Sequence, residues 1–267
     1  MRFARPYAVR LASLAIWIVL CISPNASFAE QRLTITLTLQ DYPPFTFGDD
    51  QNAGLLTEIV RESFKLTHVD VEFVTVPNNR AITGLLRGLY DGSYGWAHSP
   101  ERDSKLLYST APIYSLRIVF FQKNGNEITW KSLEELTKYR IGVTLGNYYS
   151  NEFDALVKSG KFFADPVNDD VVNLKKLALG RIDLFPIDQD VGQYLAKRYL
   201  TKADQQKIMM QHKAIVVIPV YLVVRRDLSH AREICDRFDQ GYQQLASSGR
   251  LQKMLDAFRS KLSDRPQ

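Results

Sequence analysis

The sequence predicts an α/β protein of two lobes, and three observations carry that prediction. Residues 32–97 read strand, helix, strand, helix, strand, the alternation that builds a parallel sheet with helices on its faces. The stretch from Arg117 to Asp188 repeats the same logic. The length, 267 residues less a leader of 29, leaves about 238, enough for two lobes of roughly a hundred residues each.

The leader comes first. Arg2, Arg5 and Arg10 make a basic start, Leu11 to Ile22 is apolar, and Pro24 breaks the run. Ser27-Phe28-Ala29 then offers small residues at the two positions a signal peptidase reads. Residues 1–29 therefore form a secretory signal peptide, with cleavage expected between Ala29 and Glu30. The apolar run is about a dozen residues, short of the roughly 20 that span a bilayer. Cys21 follows Val19-Leu20 and not a small residue, which argues against a lipid anchor. Loss of three arginines takes the formal charge from +5 to +2, and no basic stripe for nucleic acid remains. Cys235 is then the single cysteine, so no internal disulfide forms; its helical context suits a packed small residue better than a nucleophile.

Along the mature chain, Arg32–Leu39 alternates threonine with Leu and Ile, a strand signature. Asp41-Tyr-Pro-Pro-Phe45 ends it, because two prolines forbid a central strand and force an exposed loop. Gly54–Thr67 places Leu55, Leu56, Ile59, Val60 and Phe64 at helical spacing. Val69–Val76 is a second strand closed by Pro77, Asn79–Arg87 a helix stopped by Gly88, and Ser93–Ala97 a third strand. Ligands bind at the carboxyl ends of strands in such sheets, and Tyr42, Pro77–Arg80 and Tyr94–Arg102 all follow strands. Gly92, Gly95, Ser93 and Ala97 around Tyr94 and Trp96 let backbone approach a ligand beside aromatic faces.

Ser99-Pro100-Glu101 reads as a helix start, with a hydroxyl cap, a proline at the first position and an acid in the first turn. Arg102 falls in that same turn, where the helix dipole disfavours a cation. Two readings stay open. Either Arg102 is a solvated arginine on a short helix, or a ligand carboxylate matched to its fork of donors holds it there.

The second half continues with a strand at Arg117–Gln122, a short helix at Leu133–Thr137 and a buried strand at Arg140–Leu145. Gly146-Asn147 is read as opening a helix through Phe153 and Leu156 to Gly160, either as a plain turn or as amides poised for an anion. Asp170–Leu179 is a helix stopped by Gly180, and the strand Ile182–Ile187 ends at Asp188. Asp188 or Asp190 either caps the helix through Tyr194 and Leu195 or touches a ligand. Ala214–Val224 is an apolar run interrupted by Pro219, and helices at Arg232–Leu245 and Leu251–Leu262 close the chain.

Catalytic chemistry finds no constellation. His68, His98, His212 and His230 share no metal-like spacing, and no GxSxG, Walker or dinucleotide fingerprint occurs. Asp49-Asp50 and Asp169-Asp170 sit in polar turns. No catalytic residue, metal or cofactor is expected.

Tyr42-Pro-Pro-Phe45, Gly54-x-x-x-Glu58, Arg80-Ala81-x-x-x-Leu85, Gly88-x-x-Asp91-Gly92, Ser99-Pro-Glu-Arg102, Tyr108-Ser109, Ile141-Gly-Val143, Gly180-Arg-Ile-Asp183 and Asp188 occur in that order. Together, over residues 33–258, they resemble the family 3 periplasmic solute-binding proteins of polar amino-acid ABC transporters. The resemblance implies a two-lobe periplasmic-binding-protein fold (type II), with the ligand cleft between the lobes and two hinge crossings. Residues 30–114 and 220–267 would form one lobe and 115–219 the other. It implies that Arg102 clamps an α-carboxylate, Asp188 takes an α-ammonium and Tyr42 packs on the ligand side chain. Backbone at Gly95 to Ala97 and the helix start at Gly146-Asn147 would add polar contacts. With Arg80, Tyr94 and Trp96 these make up the expected ligand set.

The sequence departs from the family pattern at Asn147, where a threonine is common, at Asn79, which replaces an aromatic, and at Leu39, where some binders of basic amino acids carry an acid. The expected partners are a small polar ligand and an inner-membrane permease or sensor, for a periplasmic monomer. Two alternatives share the scaffold: a ligand sensor feeding a membrane receptor, and a dehydratase-like enzyme. The enzyme would need an acid or base in the cleft beyond Asp188, for which Glu58 and His98 are the candidates.

Overall fold

The computed structural model describes residues 33–48, 54–76, 78–145 and 147–263, together with Met1. The expected leader and its cleavage point fall, but for Met1, outside the described residues. The first part of the fold follows the βαβ reading closely. β1 (Leu33–Leu39) leads to α1 (Leu55–Leu66), β2 (Val69–Thr75), α2 (Asn78–Leu86) and β3 (Gly92–Trp96). β1 pairs parallel with both β2 and β3. α1 turns Leu55, Leu56, Ile59, Val60 and Phe64 into the core, the face its spacing marks.

A single-turn helix, α3 (Pro100–Asp103), and a short strand, β4 (Leu106–Tyr108), lead to β5 (Tyr114–Lys123). After a 3₁₀ turn at Leu133–Leu136 come β6 (Arg140–Thr144), α4 (Asn151–Lys158), β7 (Phe163–Val167), α5 (Asp170–Ala178) and β8 (Leu184–Asp188). α6 (Gln189–Tyr199), α7 (Lys202–Gln205), β9 (Ile208–Arg225), α8 (Ala231–Ser247) and α9 (Arg250–Ser263) complete the described chain. β4, β7 and α7 are short and carry no strong periodicity, and the sequence reading does not anticipate them.

The strands run β2-β1-β3-β9-β5-β8-β6-β7, with β4 also on β9. The sheet is mixed, not parallel as the alternation suggests. Parallel pairing holds among β1–β3 and among β6–β8. It fails at β5 and β9, which pair antiparallel with each other and join the two units. β9 is 18 residues long; its first part lies along β5 and its last part along β3 and β4. Pro219 does not interrupt it. It sits beside the point where the pairing passes from β5 at Val220 to β3 at Tyr221, and there a missing N–H does least harm to a ladder. The larger apolar core joins α1, α8 and α9 to the sheet through Phe45, Phe64, Phe238 and Phe258; a smaller one gathers Phe120, Ile141, Phe153 and Phe162.

Candidate ligand-binding cleft

A cavity of about 500 Å³ lies between the two units of strands, lined from both sides. One wall is Gln40, Asp41, Tyr42 and Thr46 after β1, Leu56 of α1, Tyr94 to Trp96 of β3, and Arg102 of α3. The other is Asn147 to Tyr149 after β6, with Ile187 and Asp188 at the end of β8; Leu116, Ile118, Ile218 and Val220 of the β5–β9 pair form its back.

The loop that carries Tyr42 is held at both ends. Tyr42 N donates to Thr46 O, and its carbonyl accepts from Phe45 N and Thr46 N at 3.0–3.1 Å. The first amides of α1, which have no partner within their own helix, donate to the loop carbonyls: Leu55 N to Pro44 O and Leu56 N to Phe45 O. Phe45 is fully buried against Tyr114 and Phe258. Tyr42 is therefore presented by a fixed loop, and where the prolines suggest an exposed one, Pro44 and Phe45 are buried.

β3 shapes the rest of the same wall. The Tyr94 hydroxyl meets Thr57 Oγ1 at 2.8 Å, and burial pushes it well above the usual range. Gly95 has φ +83°, a conformation that side chains disfavour, and the register with β9 slips between Tyr94 and Trp96. This bulge re-aims Trp96, whose indole N–H donates to Ser93 Oγ at 2.7 Å.

α3 corrects the reading of Arg102. Ser99 occupies the cap position, but its hydroxyl makes no capping bond; its backbone N–H donates instead to Asp103 Oδ1 at 3.3 Å. With four residues the helix has no extended dipole, and Arg102 stands as much at its last turn as at its first. What holds Arg102 is the loop before it. Nη2 donates to Ala97 O at 2.9 Å and the guanidinium sits 5.3 Å from the centre of the Trp96 ring. Nε is buried and makes no hydrogen bond, and Arg102 has no acidic partner among the described residues.

Asp188 is 1% exposed and is a helix cap. Oδ1 accepts from Asp190 N at 2.9 Å and Val191 N at 3.2 Å, and Oδ2 accepts from Arg117 N at 2.8 Å. Burial pushes the carboxyl up to about 7, Asp190 adds to the shift, and the three amides oppose it. Neighbouring Asp190 accepts from the Tyr114 hydroxyl at 2.7 Å. Tyr42 is raised well above its ordinary value by burial and then by the nearby charges of Asp188 and Asp170. The cleft thus sets Arg102 on one wall against the buried Asp188 on the other, with Asp190 close behind it.

The turn after β6 also differs from expectation. Asn147 does not begin a helix: its amide donates to Thr144 O, and α4 starts four residues on, capped by Ser150 Oγ accepting from Phe153 N. Tyr149 is the reason. Its ring is buried and its hydroxyl accepts from Thr144 N at 2.7 Å, so the chain folds inward before it can turn helical. Asn147 Nδ2 reaches Asp170 Oδ1 at 3.3 Å, where Thr144 Oγ1 also donates at 2.5 Å. Asp170 is thus part of the wall's polar support rather than a free turn residue, and burial raises its carboxyl.

Of the expected ligand set, Tyr42, Tyr94, Gly95, Trp96, Arg102, Asn147 and Asp188 line the cavity. Ala97 stands behind it through its carbonyl bond to Arg102. Arg80 is exposed on α2 and is not among the lining residues, and Gly146 lies outside the described residues. The sequence reading passed over Asp41, Tyr148, Tyr149 and the aliphatic back wall. Adjacent tyrosines after a strand–glycine turn were a visible signal; Leu116, Ile118 and Ile218 alternate like any core strand and gave none. Among the described residues no group of three His, Cys, Asp or Glu could hold a metal, and no helix is long and apolar enough to cross a membrane.

Residues 35–261 match the family model of the bacterial extracellular solute-binding proteins, family 3, and the chain belongs to that family. The L-cystine-binding protein TcyJ of Escherichia coli (strain K12) is 29% identical over 177 residues, a match covering 63% of this chain and 64% of that protein. The chain therefore spans less than two thirds of that relative's length. Among solved structures, an ancestral arginine-binding protein bound to arginine superposes with a TM-score of 0.66 at 22% identity, covering 85% of this chain and 98% of the other. A histidine kinase sensor domain with similarity to periplasmic binding proteins gives 0.66 at 21%, covering 86% and 96%. These likenesses establish the type II periplasmic-binding-protein fold.

Proposed function

We propose that the protein is an exported, periplasmic solute-binding protein that captures a small polar carboxylate, such as an amino acid, and hands it to an inner-membrane ABC importer. The observation that carries this is Arg102: a guanidinium fixed over Trp96, without an acidic partner among the described residues, at a cavity whose other wall bears Asp188. A ligand carboxylate supplies the missing counter-charge, and Asp188, ionised or sharing a proton, faces the ligand's cationic group. The three bonds Asp188 already accepts leave one lone pair, on Oδ2, for such a donor. Residues 30–114 with 220–267 form one lobe and 115–219 the other, and ligand contact with both walls closes the hinge between them. The change of β9 pairing at Val220 supports that division.

Capture without turnover fits the placement of the two further acid–base candidates. Glu58 lines a different cavity, with Pro44, Tyr194 and Phe258, and His98 stacks on Tyr108 at 3.9 Å outside the cleft lining. Calorimetric titration of the mature protein with amino acids and their decarboxylated or deaminated analogues tests the proposal. Saturable binding that needs the carboxylate, with the ligand recovered unchanged, is the expected result. Binding indifferent to the carboxylate removes Arg102 from the site, and conversion of the ligand makes the protein an enzyme.

A further inference from the structure

A second, basic cavity lies outside the cleft. It has a volume of about 330 Å³ and is lined by Leu86, Ser104, Lys105, Arg225, Arg226 and Asp227. Three cations meet one acid there, and the backbone sets the cations side by side. Arg226 N donates to Lys105 O at 3.0 Å, and Arg226 Nη2 donates to Asp103 O at 3.0 Å and Leu106 O at 2.9 Å. Both carbonyls occupy the same nitrogen, which fixes the guanidinium and leaves its other N–H groups unspent.

Arg225 packs over the end of α2. A side chain at Gly88 would place its Cβ 2.2 Å from Arg225 Nη1, and Gly88 itself has φ +79°. That position explains one role for Arg225, a cation at a helix C-terminus. It does not neutralise it. The Arg225 side chain is 19% exposed, while its acidic neighbour Asp227, 3.5 Å from Nε, is 79% exposed and screened by water. Nε makes no hydrogen bond among the described residues. Lys105 is exposed and has no acidic partner among the described residues. The pocket therefore holds a surplus of fixed positive charge with donors arranged around a concave space, the arrangement that recognises multiply charged oxyanions.

Apolar surface adjoins it. Leu86, which lines the pocket, is 41% exposed, and Leu89, just past Gly88, is 67% exposed. We infer that this pocket binds a phosphoryl oxyanion, either free phosphate or the headgroup of an anionic phospholipid, with the two leucines beside it suited to the ester side. The site is independent of the ligand cleft, although Ser104 and Lys105 directly follow the α3 turn that bears Arg102.

The test uses the full mature chain in chloride buffer at constant ionic strength. Inorganic phosphate is titrated while backbone amide signals are followed, and binding to phosphatidylglycerol vesicles is compared with phosphatidylcholine vesicles. Saturable shifts at Leu86, Ser104, Lys105 and Asp227, with Tyr94 to Trp96 unmoved, are expected for free phosphate. Selective binding to phosphatidylglycerol without a phosphate response assigns the same site to the lipid source, and Leu89→Ser then weakens it. In either arm Lys105→Glu is expected to lower affinity at least tenfold, the scale of one charge-assisted hydrogen bond. Lys105→Gln gives the same readout if the glutamate variant misfolds. Responses matched by chloride and by phosphatidylcholine, or wild-type affinity in the Lys105 variants, overturn the inference.

Discussion

Replacing Asp188 with asparagine probes what sets the ionisation of the buried carboxyl. In the folded protein this group is held up to about 7 against an ordinary 3.8. Between those values the folded chain keeps a proton that the unfolded chain has released, so stability falls as pH rises. The contribution is fully present below pH 4 and is lost as pH climbs through 7. At about 1.4 kcal/mol per pH unit the window carries at most about 4 kcal/mol. Asp188→Asn has no proton to lose. Its amide oxygen still caps α6 through Asp190 N and Val191 N, but its NH₂ now faces the Arg117 amide, a mismatch costing about 1–3 kcal/mol at every pH. Urea unfolding of ligand-free wild type and variant from pH 4 to 8 measures the difference. Asp170, also raised, titrates in both proteins and cancels. The difference is expected to move in the variant's favour by up to about 4 kcal/mol across the window. A difference constant to within about 1 kcal/mol refutes the reasoning, because it shows that the three amides, which favour the ionised form, outweigh burial.

Arg102→Lys keeps the charge but loses the two-pronged geometry, and calorimetry is expected to show a loss of about 2–5 kcal/mol in ligand binding. The ligand-free melting temperature is expected to change little, since the Arg102 side chain is held to the protein by a hydrogen bond to Ala97 O and by the face of Trp96. Gly95→Ala forces a side chain into φ +83°; a loss of about 1 kcal/mol in stability is expected, with weaker ligand binding as Trp96 shifts. A ligand at a hundred times its dissociation constant is expected to stabilise the wild type by about 2.7 kcal/mol and to compact it in solution scattering. An unchanged scattering profile with verified ligand bound shows a rigid site.

The sequence announced the fold where local pattern and tertiary demand agree. The threonine alternation of β1, the apolar face of α1 and the glycine stops after α2 and α5 all stand within a residue or two of their expected bounds. It misled where a particular contact, and not the periodic pattern, decides. Helical spacing does not tell that Tyr149 folds back five residues to Thr144 N, so the start of α4 was placed four residues early. Nothing local tells that β9 pairs with β5 on one side and β3 on the other, so the sheet read as parallel. In the cleft, Arg102 was found by an argument about a helix dipole that a four-residue helix does not support. Its Trp96 and Ala97 contacts are the better reason. Asp188 was read as a cap or a ligand group; two amides of α6 make it the cap, a third bond comes from Arg117 N on β5, and its side chain also lines the cavity.

The path of β9 fixes an order of assembly. The unit β5 to β8 needs only the next segment of chain, Ile208 to Val220, to complete its sheet. The unit β1 to β3 must wait much longer, because its fourth strand is Tyr221–Arg225 and the helices that bury α1 follow later still. A chain emerging from its amino end thus first exposes Leu33–Trp96 as an unfinished sheet edge, the kind of surface that recruits wrong partners. Non-local closure of that kind is slow. The half that presents Tyr42, Trp96 and Arg102 therefore has its sheet and core completed only by Tyr221–Arg225 and α8, far along the chain from β1.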